Sequence, residues 1–329
     1  MFISDIYAQV TATVLTTPAG AIVVDTLPLP VESRQLVSFI ESELGRPLSE
    51  LYASFQLEPI ASASIAQVHR ATLHDGRAAV VKVQRPGIVH EIRADLRLLQ
   101  TQARRLERRS PALASYGLSE IVREFSANLE AELDFRLEGR NADRLRELVR
   151  GDLVLLPEII WHRSTERVLT MTELQGIKIS ERDVLIAAGY DLREIAERVI
   201  DVYLNQVFVH GIFHADPHPG NILVCDDRIG LVDLGSVGYL TRAMRDHLGA
   251  LLFALVRQDA DEMLQVLIDM GAISIRTETD PIRREIQRLL VRYYDVSLES
   301  IPIAQFLSEL MSLSFQYRIR LPADLALLS

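Results

Sequence analysis

His214-Ala215-Asp216-Pro217-His218-Pro219-Gly220-Asn221 is a dense block of loop chemistry set between apolar segments. Pro217 and Pro219 lock φ, and Gly220 supplies the freedom to turn, so the Asp216 carboxylate and the Asn221 amide can be held in a fixed relation. Taken alone, these are also ordinary turn-forming residues, and their meaning comes from what flanks them. A helical pattern runs over 192–210 before the block. After it, the short apolar runs 222–224 and 229–232, joined by Cys225-Asp226-Asp227-Arg228, read as a β-hairpin. Asp233-Leu234-Gly235 follows, twelve residues past Asn221.

Phosphoryl transfer needs a cation on the nucleotide phosphates, acidic or amide oxygens for Mg²⁺, and a carboxylate near the attacking hydroxyl or water. The spacing of Asp216 and Asn221 is that of a kinase catalytic loop. It assigns Asp216 to orienting or deprotonating the acceptor and Asn221 to the metal. Asp233 stands where a kinase carries its metal-binding Asp-Phe-Gly, with Leu234 an apolar exchange for Phe. Upstream, Ala79-Val80-Val81-Lys82-Val83 resembles the kinase strand whose lysine pairs with the α and β phosphates. Alternation on that strand projects Lys82 opposite to Val81 and Val83. The bland alternative is a surface strand lysine. Against it, Lys82 and Lys178 are the only lysines in a chain whose other basic residues are arginine. A lysine surviving in that background marks a place where arginine substitutes poorly.

Working outward, 31–45 and 48–55 read as helices, the first closed by Gly45-Arg46-Pro47. Strands are expected over 65–73 and 78–83, turning at His74-Asp75-Gly76-Arg77. Helices are expected over 88–109 and 118–149 with a break at Ser110-Pro111, strand character over 153–173, and almost wholly helical structure after Thr241. The fold class is α+β: a small mixed N-lobe with an antiparallel sheet and a larger α-rich C-lobe. The expected division is a helical extension at 1–46, an N-lobe with inserted helices at 47–175, and a C-lobe at 176–329 carrying both the catalytic loop and the metal-binding Asp233. The hinge lies near 173–176, and Glu173 is placed with the cofactor-binding residues.

A chain of 329 residues with 48% hydrophobic content can bury a sizeable core. Its formal net charge of −10 and pI near 5.4 exclude nucleic acid as an expected partner. The single Cys225 permits no internal disulfide and reads as a small core residue at a strand end. No run approaches the ~18 apolar residues of a membrane helix, and no secretory signal opens the chain. A cytoplasmic location is expected.

These features combine with Pro59-Ile60-Ala61-Ser62-Ala63-Ser64-Ile65-Ala66-Gln67-Val68-His69-Arg70-Ala71, Val81-Lys82-Val83-Gln84-Arg85-Pro86-Gly87, and Glu132-Leu133-Asp134-Phe135 with Glu138 and Asn141. The chain thereby resembles the UbiB-type (ADCK) atypical kinase-like family. The resemblance implies ATP and Mg²⁺ as cofactors. It implies an alanine-rich loop at Ala61, Ser62, Ala63 and Ser64 in place of a glycine-rich phosphate loop, whose Cβ atoms stiffen the turn. It also implies that Glu132, in a Glu-x-Asp motif with Asp134, pairs with Lys82. Two departures stand out. Residues 1–40 hold no Lys-x-Gly-Gln motif, and the chain ends at Ser329, ahead of the family's membrane segment. Either a fragment or a divergent member is expected.

A protein kinase needs a peptide-docking segment ending in Ala-Pro-Glu. Here a helix is expected within about six residues of Gly235, and no Ala-Pro-Glu occurs in the chain. The leading expectation is therefore an ATPase or small-molecule phosphotransferase. The resemblance couples it to prenyl-quinone (ubiquinone-like) biosynthesis, a lipid or quinone precursor, and a peripheral inner-membrane surface. A serine/threonine protein kinase and a pseudokinase scaffold without turnover are the alternatives. His214 and His218 read as braces of the loop, since Pro217 precludes a regular helix across them.

Overall fold

The computed structural model describes residues 13–17, 20–24, 33–109, 118–149, 154–273, 278–294 and 317. In chain order, strands β1 (Thr13–Thr17) and β2 (Gly20–Val24) precede helices α1 (Ser33–Leu44) and α2 (Leu48–Leu51). Strands β3 (Ser54–Phe55), β4 (Ala61–Ser62), β5 (Ala66–Thr72) and β6 (Ala78–Gln84) follow, then α3 (Ile88–Arg109), α4 (Leu118–Glu132) and α5 (Phe135–Leu148). Next come β7 (Val154–Leu155), β8 (Val168–Thr172), β9 (Ile177–Lys178), α6 (Arg182–Ala187), α7 (Leu192–Leu204) and a π-helical turn, Asn205–His210. The last described elements are β10 (Ile212–His214), β11 (Ile222–Cys225), β12 (Arg228–Leu231), β13 (Val237–Tyr239), α8 (Arg242–Arg257), α9 (Ala260–Asp269) and α10 (Thr279–Tyr294). They form two compact units. The first comprises Met1–Glu147, Leu155–Gly176 and Gly230–Gly235, the second Leu148–Val154, Ile177–Ile229 and Ser236–Ser329.

The first unit is built on an antiparallel sheet ordered β3-β5-β6-β8, with β4 also paired to β5. Asp75-Gly76 makes the turn between the two long strands: Gly76 takes φ +88 and the Asp75 carboxylate accepts from Arg77 N. The strands stay in register from Ala66↔Gln84 to Thr72↔Ala78. Strand alternation then sorts the residues of β6. Ala79, Val81 and Val83 are buried in a core with Leu36 and Ile40 of α1, Tyr52, Ile160 and Val168. Burying each valine side chain contributes roughly 1.5–3 kcal/mol. Lys82 lies between Val68 and Leu169 on the neighbouring strands, on the other face.

Four expectations need correction. The 1–46 segment is not wholly helical, because β1 and β2 pair antiparallel ahead of α1. The helix expected over 48–55 stops at Leu51, since Tyr52 turns extended and Ala53 N bonds Thr72 O to begin β3. The helix expected over 118–149 breaks at Leu133-Asp134. There the Asp134 carboxylate accepts from Arg136 N and caps a new helix, while Gln84 Nε2 donates to Leu133 O at 3.0 Å. Finally, Gly230–Gly235, with Asp233, groups with the first unit, where Asn141 of α5 donates to Leu234 O and Lys82 holds Asp233.

In the second unit β10 pairs antiparallel with β13, and β9 with β11. The helical segment expected over 192–210 is α7 continued by the π turn. Gly211 ends that turn at φ +68, and Arg245 of α8 donates to Phe208 O and Val209 O, satisfying its terminal carbonyls. Cys225 is buried at the end of β11. Helices α8, α9 and α10 supply most of the rest, with Ala260, Leu264, Ile282 and Ile286 in one core. The expected helical pattern beyond Tyr294 falls, apart from Tyr317, outside the described residues. Among the described residues no helix is long and apolar enough to cross a membrane.

Candidate active site

The first unit brings three charged side chains together. Lys82 Nζ donates to Glu138 Oε2 at 2.8 Å and to Asp233 Oδ1 at 3.2 Å. The Glu138 side chain is 7% exposed, Lys82 15% and Asp233 53%. The ammonium therefore has one buried anchor and one carboxylate that reaches solvent. Phe135 adds its ring 5.4 Å from the ammonium. Burial alone would lower the Lys82 pKa, but the attraction of Glu138 and Asp233 outweighs it and holds the lysine above its ordinary value. Glu138 is pushed up to about 7, chiefly by burial, which the pull of Lys82 offsets only in part and the charges of Asp233 and Glu132 reinforce.

Glu138, not Glu132, is thus the ion-pair partner of Lys82. The break at Leu133-Asp134 explains the change. Glu132 ends α4, whereas α5 starts afresh at Phe135 and presents Glu138, Gly139, Ala142 and Leu145 as its buried face. Glu132, at the end of α4, adds its charge to the field at Glu138. The overlooked signal was Asp134, a strong helix N-cap residue. Helix α5 also fixes the Asp-Leu-Gly strip, because Asn141, one turn after Glu138, donates to Leu234 O at 3.1 Å. Asp233 itself adopts φ +57, a conformation that short polar side chains tolerate and most others resist.

Ala61 and Ser62 form β4, and Ala63 N bonds Ala66 O at 2.8 Å to close the turn. Residues 61–64 are all exposed. Glu173, just past β8, places its carboxylate on Arg70 at 2.8 Å while its N–H bonds Ala78 O. That ties the end of the sheet together.

The second unit carries the loop. Phe213 and His214 are buried on β10, His214 N donates to Gln206 Oε1, and Ala215 N bonds Ser236 O. Asn221 Nδ2 donates to Asp216 Oδ2 at 3.0 Å and to Asp216 O at 3.3 Å, so amide and carboxylate are locked as the prolines suggest. His214 Nδ1 accepts from Asp216 N and His218 Nδ1 from Gly220 N, each bracing its own turn. Tyr203 of α7 has a buried hydroxyl without a hydrogen-bond partner among the described residues. Burial, with the nearby Asp216 charge, holds its phenol above the ordinary value.

Each unit by itself carries side chains of the kinds that a magnesium-bearing nucleotide would require. A paired ammonium stands beside a half-exposed carboxylate in the first unit, and an amide is bonded to a carboxylate in the second. Among the described residues no three His, Cys, Asp or Glu side chains form a metal-holding group. Magnesium brought in by phosphates needs only one or two protein oxygens, the rest being phosphate and water.

Sheet, helix-borne glutamate, strand lysine and acidic strip define an atypical protein-kinase-like protein of the α+β class. The chain matches the ABC1 atypical kinase-like domain over residues 24–267 and the UbiB helical domain over 286–329, and it belongs to this ABC1/UbiB family. It is 37% identical over 292 residues to the uncharacterized protein sll1770 of Synechocystis sp., covering 88% of this chain and 50% of that one. To a probable protein kinase UbiB of Cellvibrio japonicus it is 33% identical, covering 91% and 55%. The chain thus spans about half the length of the curated relatives it matches. Among solved structures, Rv3197 of Mycobacterium tuberculosis, determined with erythromycin, is similar with a TM-score of 0.69 at 26% identity, covering 91% of this chain and 76% of that one.

Proposed function

We propose that the chain binds Mg-ATP and hydrolyses it, or passes its terminal phosphoryl group to a small molecule, in support of prenyl-quinone metabolism. The observation that carries this reading is the Lys82–Glu138–Asp233 constellation, with its 2.8 and 3.2 Å bonds. Lys82 binds the α and β phosphates, and Glu138 keeps it charged and oriented. Residues 61–64 cover the phosphates. In the first unit Asp233 would hold the metal, which when bound with the nucleotide would neutralise charge on the transferred group, and in the second Asn221 offers an amide oxygen of the kind magnesium takes. Asp216 accepts the proton of the attacking hydroxyl or water. The acceptor is a quinone precursor or a related lipid, and a membrane surface the place where the chain meets it.

Peptide phosphorylation is disfavoured by the segment after Asp-Leu-Gly. Strand β13 begins at Val237 and α8 at Arg242, so no length remains for a peptide-docking segment. The test is ATP loss by the purified chain, with and without detergent or a quinone-precursor mimic. Turnover that falls about 100-fold or more in Asp216→Asn is expected. No turnover under any condition would leave a scaffold, and robust labelling of a peptide library would make the chain a protein kinase.

A further inference from the structure

Arg85 follows β6 directly and is 9% exposed, whereas the residues it holds, 61–64, are exposed. It spans that loop with three donors. Its N–H bonds Ile65 O at 2.9 Å, Nε donates to Ala63 O at 3.0 Å, and Nη2 donates to Ser62 Oγ at 2.8 Å. A neutral side chain could brace a turn without carrying a charge into a buried site. Burial lowers the guanidinium pKa, yet arginine stays protonated in proteins. A positive charge is therefore fixed beneath a loop that contains no charged residue of its own.

We propose that Arg85 is the positioning residue of the nucleotide loop: its planar fork sets Ser62 and Ala63, and its charge lies under the phosphates that the loop receives. The inference rests on the Mg-ATP reading above. Ser62 Oγ accepts from Arg85, so its own hydrogen remains to donate to a phosphate oxygen. Lysine keeps the charge but, as a point donor, cannot reproduce two bonds diverging from one plane.

Calorimetric titration of the full chain with Mg-ADP and with adenosine tests this, using the wild type, Arg85→Lys, Ser62→Ala and the double variant. Arg85→Lys is expected to weaken Mg-ADP about tenfold, the scale of one hydrogen bond to a charged group. Ser62→Ala should weaken it severalfold and the double variant no more than Arg85→Lys alone, with adenosine shifting less than about twofold throughout. Equal losses for ADP and adenosine, strictly additive losses, or no loss would each overturn the proposal and leave Arg85 a structural brace. Should Arg85→Lys fail to fold, Ser62→Ala decides alone: an ADP-selective loss supports the proposal and an unchanged affinity sinks it. If the wild type binds neither ligand, the nucleotide reading fails first and the proposal with it.

Discussion

Glu138 sits in the fold as a carboxyl that ionises against its own burial. Its pKa is raised from 4.5 to about 7, so between those values the folded chain holds a proton that the unfolded chain has released. Stability from this group is full below about pH 4.5 and lost as pH rises through about 7. Glu138→Gln should flatten that fall, by an amount of order 1–3 kcal/mol between pH 5 and 8, read as the wild-type minus variant difference in urea midpoints. A difference that grows in the opposite direction would mean that the pull of Lys82 outweighs burial at Glu138. At this scale the order and spacing of Lys82, Asp216, Asn221 and Asp233 could be read from the chain, and the structure brings Lys82 to Asp233 and Asn221 to Asp216. Glu138 was not, because a helix periodicity cannot reveal where the helix restarts.

Between elements, the fit of α5 on the sheet decides whether Glu138 reaches Lys82. Gly139 makes that fit possible: a Cβ there would stand 2.8 Å from Trp161 Cη2 and 3.3 Å from Leu169 Cδ1. Gly139→Ala should therefore cost about 1–3 kcal/mol by overpacking and weaken nucleotide binding along with it. Trp161 is the only tryptophan in the chain and donates to Asp143 of the same helix at 2.7 Å. Its emission should shift in the variant, and an unchanged spectrum and melting curve would show that α5 tolerates the methyl. A matching case lies in the second unit, where a Cβ at Gly238 would land on the Phe213 ring. Gly238→Ala should unseat β10 and lower ATP turnover together with thermal stability. The long strands were readable from alternation and Asp-Gly, and the face of Lys82 followed from the pleat. The short strands β3 and β4 carry too few residues to show a period, which is why the first was read as helix.

For the molecule as a whole, membership of the ABC1/UbiB family makes the charge of Asp233 the most direct point of test of the proposed magnesium-nucleotide binding. Asparagine tolerates the φ of +57 found at this position, so Asp233→Asn removes the charge while sparing the backbone. A calorimetric titration of ATP into the wild type and Asp233→Asn, each with magnesium and with chelator, isolates that charge. The account predicts binding by the wild type with magnesium, weakened about tenfold or more both by chelation and by the substitution. Equal affinity in all four titrations, or no binding by the wild type, would contradict it.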